Sequence, residues 1–194
     1  MAGLPHWSNS RAATNYYEPV FLNQFEVIIT PPAAITQNVD LLVEHVTDIS
    51  GLPELTPTKV IEQSYKFAKR SYAAPVPDTT VADLKINFSV NLNEENNIYV
   101  YNILRGWADL VYDPLTGRQG LKKDYTGEIY VAISNKAGDI FREFKFKPVI
   151  PNATSGAAIS TMDLNYTEAT KVYIATMTFR ADAWKETRIG EIKV

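Results

Sequence analysis

Two histidines, His6 and His45, are the only imidazoles in the chain, and cysteine is absent. His6 stands in a segment without periodicity and His45 in a strand-like run, and with no HExxH or cysteine pair they do not make a histidine metal cluster. A serine nucleophile would need His45 beside an ordered serine, yet no G-x-S-x-G elbow occurs, so His45 reads as an ordinary strand residue. The stretch Thr116-Gly117-Arg118-Gln119-Gly120-Leu121-Lys122-Lys123 sets backbone amides among three cations. Those are the ingredients of a phosphate cradle. The spacing is not that of a Walker loop, and the segment reads as a solvated loop after a helix, or as a contact to a neighbouring subunit through Arg118, Lys122 and Lys123. Glu94-Glu95 suits the start of a helix better than a catalytic acid pair. The sequons at Asn152 and Asn165 carry little weight without a secretory signal. The residues present assemble no catalytic site, metal site or cofactor site.

Composition narrows the classes further. The net charge of −3 argues against a protein that grips nucleic-acid phosphates, though not against one that encloses DNA without holding it. Aromatic residues make up 11% of the chain, but Phe25, Phe88, Trp107, Phe144 and Phe146 all fall at core positions of strands or a helix, which leaves few for base stacking. A cysteine-free chain suits a reducing compartment. The N-terminal stretch has no signal-peptide core and no run approaches the ~18 apolar residues of a membrane span, so the expectation is a protein made and kept soluble. At 194 residues one domain is expected, bounded as an arm over residues 1–20, a β domain over 21–185 and a tail over 186–194.

The elements follow from periodicity. Residues 1–20, with Trp7, Tyr16 and Tyr17, read as an arm that orders on docking. Phe25, Val27 and Ile29 mark a first strand that Pro31-Pro32 stops. Leu41 to Asp48 reads as a second strand, leading into the turn Ser50-Gly51-Leu52-Pro53. Thr58 to Tyr72 reads as one long extended run. From Ala82 to Leu92, Leu84, Ile86, Phe88, Val90 and Leu92 alternate with Asp83, Lys85, Asn87, Ser89 and Asn91, a dry face and a wet face over roughly 37 Å. The expected pairing is a long hairpin between these last two runs.

The period then becomes helical. Asn93 is a cap candidate, and Val100, Ile103, Leu104, Trp107 and Val111 form one stripe until Asp113-Pro114 ends the helix. Glu128 to Ser134 and Asp139 to Lys147 form a hairpin around a loop in which Gly138 supplies positive φ, with Pro148 and Pro151 closing it. The segment from Asp163 to Trp184 is apolar on both faces in its first half: Val172 and Ile174 point one way, Tyr173, Ala175, Met177 and Phe179 the other. Such a strand lies between two layers or meets another subunit. Seven or eight strands with a single helix predict a mainly β fold, a sandwich or barrel with a flanking α-helix.

The order Asn23-Gln24-Phe25-Glu26-Val27, Ser50-Gly51-Leu52-Pro53, long hairpin, Trp107 helix and Thr178-Phe179-Arg180-Ala181-Asp182-Ala183-Trp184 resembles the T-even-type phage tail tube protein family over roughly residues 20 to 185. That family is related to the inner-tube proteins of contractile injection systems and to the Hcp tubes of type VI secretion. The resemblance implies hexameric rings stacked into a tube inside a contracting sheath, with tape measure protein and genomic DNA in the lumen and baseplate and tail-terminator proteins at the ends. It implies a place in the virion tail, after synthesis in the host cytoplasm. The long hairpins would join an inter-subunit barrel. On that implication Glu62, Ser64, Lys66, Asp83, Lys85, Asn87, Ser89 and Asn91 face the lumen. Trp7, Tyr16, Tyr17, Arg118, Lys122, Lys123, Phe179 and Trp184 are candidates for subunit contacts. The arm, the Pro31 to Asn38 insertion and the 115–123 loop depart from shorter family members. Alternatives are an injection-particle tube, a tube-initiating baseplate protein and, outside the class, a carbohydrate-binding or adhesin β-sandwich; an enzyme is the weakest candidate.

Overall fold

A computed structural model describes residues 21–36, 39–54, 60–73, 81–92, 100–135, 138–152, 159–160, 167 and 172–188. Its strands are β1 (Phe25–Thr30), β2 (Val46–Ser50), β3 (Val60–Tyr65), β4 (Ala68–Ala73), β5 (Ala82–Ser89), β6 (Tyr112–Asp113), β7 (Arg118–Gln119), β8 (Gly127–Ser134), β9 (Ile140–Pro151), β10 (Ile174–Ala181) and β11 (Trp184–Arg188). Its helices are α1 (Leu41–Glu44), α2 (Val100–Val111) and α3 (Lys122–Tyr125). The fold is mainly β, built on a seven-stranded antiparallel sheet in the order β1-β8-β9-β10-β5-β2, with β11 added to β9.

Each strand turns alternate residues inward, as the pleat requires. Val27 and Ile29 of β1, Leu84, Ile86 and Phe88 of β5, Ile129 and Val131 of β8, and Ala175, Met177 and Phe179 of β10 are all buried in one cluster. Strands from both ends of the sheet order therefore cover one core. The stripe of α2 closes it, with Val100, Ile103, Leu104 and Trp107 buried. Among the described residues no polar or charged residue is buried as a whole, though the Glu186 side chain is nearly so beside Arg142, and apolar burial dominates, at ~1.5–3 kcal/mol for each large side chain. Trp107 packs against Phe179 with ring centroids 5.1 Å apart and planes tilted by 54°, and its indole N–H donates to the Tyr125 carbonyl at 2.8 Å. Burial of that polar group is thereby matched.

Several expectations require correction. Thr58 to Tyr72 is not one strand, and it does not pair with Ala82 to Leu92. The chain turns at Lys66-Phe67, so that β3 and β4 pair with each other, Val60 opposite Ala73 and Tyr65 opposite Ala68. The partners of β5 are β10 and β2, which satisfy both of its edges. Leu41 to Glu44 is a helical turn, with strand only from Val46. Pro148 does not close its strand: the Lys147–Pro148 peptide is cis and β9 continues to Pro151, pairing β11 before the proline and β10 after it. Residues 115–126 contain β7 and α3 rather than loop alone. The expected boundary at 185 falls within β11, where the Glu186 side chain is only 4% exposed. Asn93, Glu94 and Glu95 lie outside the described residues.

β10 is apolar-in and open-out rather than buried on both faces. Ala175, Met177, Phe179 and Ala181 are fully buried, whereas Ile174 is half exposed and shares its face with Thr176, Thr178 and Arg180. The β8–β9 hairpin forms as expected, and Gly138 has φ 88°. Gly51 sits at φ 87° where β2 leaves the sheet; a Cβ there would lie 2.1 Å from the Asp83 carbonyl oxygen, so only glycine lets these backbones approach.

Candidate functional site

The outward face of β2, β5 and β10 collects polar side chains in rows across the strands. β5 supplies Asp83, Lys85, Asn87 and Ser89, because its other parity, Leu84, Ile86 and Phe88, is committed to the core. The register sets Arg180 opposite Asp83, Thr178 opposite Lys85 and Thr176 opposite Asn87. In the first row, Arg180 donates Nε and Nη2 to the two carboxylate oxygens of Asp83 at 2.9 Å each, and Asn152 donates to the same carboxylate at 3.2 Å. The hydrogen bond from Arg180 holds Asp83 below the usual carboxylate range, against its desolvation and with help from the attraction of the two charges. In a lower row, Asn87 donates Nδ2 to Asp48 at 3.2 Å and accepts from Thr176 at 2.7 Å, spanning three strands with one amide. At the end of the face, the His45 Nδ1 lies 3.1 Å from the Ser89 hydroxyl, the two bridging β5 and the start of β2.

Among the described residues Lys85 carries no ion pair, and Asp48 is met by the Asn87 amide rather than by a cation, so Asp83–Arg180 is the ion pair of this face. The adjoining β1-β8-β9 face follows the same rule. Glu128 bonds Lys147 and lies 3.6 Å from Lys145, and the Lys147 bond lowers its pKa first of all causes. At β9, Arg142 bridges Glu186 at 2.6 Å and Glu54 at 3.0 Å.

The β3–β4 hairpin is the second notable feature. From Val60 to Tyr72 its residues are exposed, including Val60, Ile61, Tyr65, Phe67 and Tyr72, with Phe67 at 92%. Glu62, Ser64 and Lys66 lie on this hairpin, apart from the β5 residues with which the sequence grouped them. Asn91 follows β5 and is exposed.

Of the residues expected at subunit contacts, Phe179 offers no surface: it is fully buried against Trp107 within its own core. Its inward parity on β10 is the reason. Trp184 is half-buried beside Phe144, with centroids 6.4 Å apart. Lys122 is held by Asp182, whose hydrogen bond raises its pKa, while Arg118 in β7 and Lys123 in α3 are exposed. The turn between β6 and β7 is tied by Asp113, which accepts from the Leu115 amide at 2.9 Å and the Thr116 hydroxyl at 2.5 Å, around Gly117 at φ 69°. Those amides serve the loop's own turn. Trp7, Tyr16 and Tyr17 lie outside the described residues.

Among the described residues no group of three histidine, cysteine or acidic side chains could hold a metal ion, and no helix is long and apolar enough to cross a membrane. A cavity of about 400 Å3 lies between β1 and β2, lined by Asn23, Phe25, Glu26, Val27, Val43, Val46 and Thr47, without a nucleophile–base pair.

No protein-family model and no curated protein matches the chain. Solved structures do match. A chain of the anti-feeding prophage cap, a tube-terminating cap, aligns over 91% of this chain and 95% of that chain at 11% identity, with a TM-score of 0.58. The fold is tail-tube-like. The sheath/tube terminator structure of the extracellular contractile injection system PVC gives a TM-score of 0.54 at 12% identity, covering 89% of this chain and 99% of that chain. The PVC sheath–tube complex gives 0.53 at 14% identity, covering 94% and 99%. At such identities the likeness is one of backbone architecture, and it runs nearly end to end. These neighbours are parts of injection particles and do not single out the T-even type.

Proposed function

We propose that this chain is a structural, non-enzymatic subunit of the tube of a contractile tail, forming hexameric rings whose stacked lumen conducts DNA from a phage. The observation that carries the reading is the β3–β4 hairpin. An isolated two-stranded hairpin is marginal in water, and one with exposed Val60, Ile61, Tyr65, Phe67 and Tyr72 calls for a neighbour. Among the described residues β2 is an edge strand, paired with β5 alone, and gives a second route to a neighbouring protomer by strand addition. In this arrangement the face of Asp83, Lys85, Asn87 and Ser89 lines the lumen, with the hairpins of neighbouring subunits beside it. The partners are further copies of the chain, a sheath, a baseplate, a terminator, a tape measure protein and the DNA. The tube of a phage-derived injection particle would use the same parts.

A second reading, a terminator that caps such a tube, draws support from the cap and terminator chains among the structural neighbours. Negative-stain electron microscopy of the concentrated protein tests both. Stacked rings with a central hole are expected for the tube subunit, and single rings that never lengthen would favour the terminator. Persistent monomers would overturn the proposal.

A further inference from the structure

The Asp83–Arg180 pair differs from its neighbours on the polar face in being bidentate. Two parallel N–H···O bonds of 2.9 Å occupy both carboxylate oxygens and one whole edge of the guanidinium. That edge is also the one a phosphate would take, because carboxylate and phosphate present matching oxygen pairs to the arginine fork. Asn152 supplies a further donor to the Asp83 carboxylate at 3.2 Å, which holds the acceptor in place from β9's end while the β5–β10 register holds it from below. Both side chains are 47% exposed, so the fork is occupied without being hidden. A polyanion moving over this face can reach Arg180 but has to displace a fixed carboxylate to bind it.

We propose that Asp83 is a specificity-determining residue that withholds Arg180 from nucleic-acid phosphates, so that this face passes a polyanion without retaining it. Its cargo assignment rests on the tube reading. Loss of the Asp83 charge frees one fork in every subunit, and binding then grows with each phosphate engaged.

The test compares wild type, Asp83→Asn, Asp48→Asn and the double variant Asp83→Asn/Arg180→Gln, using a fluorescent single-stranded oligonucleotide and the matching duplex over a salt series. Asp48→Asn raises net charge equally on the same face while releasing only an amide. Asp83→Asn is expected to bind about tenfold more tightly at low salt, with a salt slope steeper by roughly 0.7–0.9 for each phosphate contacted. Asp48→Asn and the double variant are expected to match wild type. Equal binding by Asp83→Asn and wild type overturns the proposal, as does an equal gain in Asp48→Asn or a gain that survives in the double variant. Should Asp83→Asn misfold by circular dichroism, Asp83→Ser takes its place. Micrographs of the same samples judge the tube reading separately: absence of rings overturns that reading, while the binding comparison still decides the role of Asp83.

Discussion

Trp107 and Gly127 are in contact across the helix–sheet boundary: a Cβ on Gly127 would lie 2.7 Å from Cζ2 and 2.8 Å from Cη2 of the indole, and 2.5 Å from the Thr30 carbonyl oxygen. The missing side chain at the start of β8 makes room for the largest side chain of the core. Gly127→Ala is therefore expected to cost about 1–3 kcal/mol through overpacking, read as a lower urea midpoint. Gly106, with nothing within 4 Å of its Cβ direction, is the contrasting position. In that helix interior Gly106→Ala is expected to raise stability by about 0.5–1 kcal/mol.

The two faces of β5 give a second test. Ile86 is fully buried and Lys85 exposed on the adjacent position. Ile86→Asp is expected to abolish folding, because an unpaired carboxylate would enter a core with no polar partner among its described residues. Lys85→Ser is expected to leave the circular dichroism spectrum and melting temperature unchanged. Equal tolerance of both would mean that the faces are reversed.

Separate roles are expected for core and hairpin. Phe67→Ser and Tyr65→Ser remove exposed apolar surface that does not belong to the core cluster of the described residues, so monomer unfolding should shift by less than about 0.5 kcal/mol. Ring or tube formation should fall sharply in the same variants, measured by sedimentation and micrographs. Loss of monomer stability in step with assembly would assign the hairpin to the fold instead.

Asp83 also makes a prediction in pH. Its pKa is lowered from 3.8, chiefly by the hydrogen bond from Arg180, so the unfolded chain takes up the proton first as pH falls. The pair's contribution is complete above the ordinary carboxylate value and is lost as pH drops through the lowered folded value. Asp83→Asn should thus be less stable than wild type at neutral pH, by no more than about 1 kcal/mol for so exposed a pair, and equal to it in strong acid. Urea midpoints at both pH values check this; a deficit that persists in acid would point to packing.

The Arg142–Glu186 pair is a different case. Glu186 is 4% exposed and Arg142 19%, so Arg142→Met leaves a carboxylate in a poorly hydrated place. The expected cost is about 3 kcal/mol, measured by equilibrium unfolding at neutral pH.

How far the sequence reaches can be judged at particular residues. The alternation from Ala82 and the stripe through Trp107 are properties of single segments, and both appear, with Leu84, Ile86 and Leu104 buried, although β5 ends at Ser89 and Leu92, expected on the dry face, is 74% exposed. The turn at Lys66-Phe67 was hidden because neither residue is a turn former and the polar–apolar mixture continues across it. Leu41 to Glu44 is too short for a period of 3.6 to declare itself. Arg180 and Asp83 are 97 residues apart, so their meeting depends on the β5–β10 register, which no local pattern contains. Phe179 shares the parity of Ala175 and Met177, which the sequence places on one face, but nothing local says that this face is the domain's own core rather than a subunit contact.

Among the described residues the β3–β4 hairpin shares no ladder with the seven-stranded sheet. Its length, charge and tip can therefore drift, or be redesigned, without renegotiating the core, so one heritable scaffold can be fitted to neighbours of many shapes. Selection on what the hairpin meets and selection on whether the domain folds act on different residues, and an engineer altering one need not disturb the other.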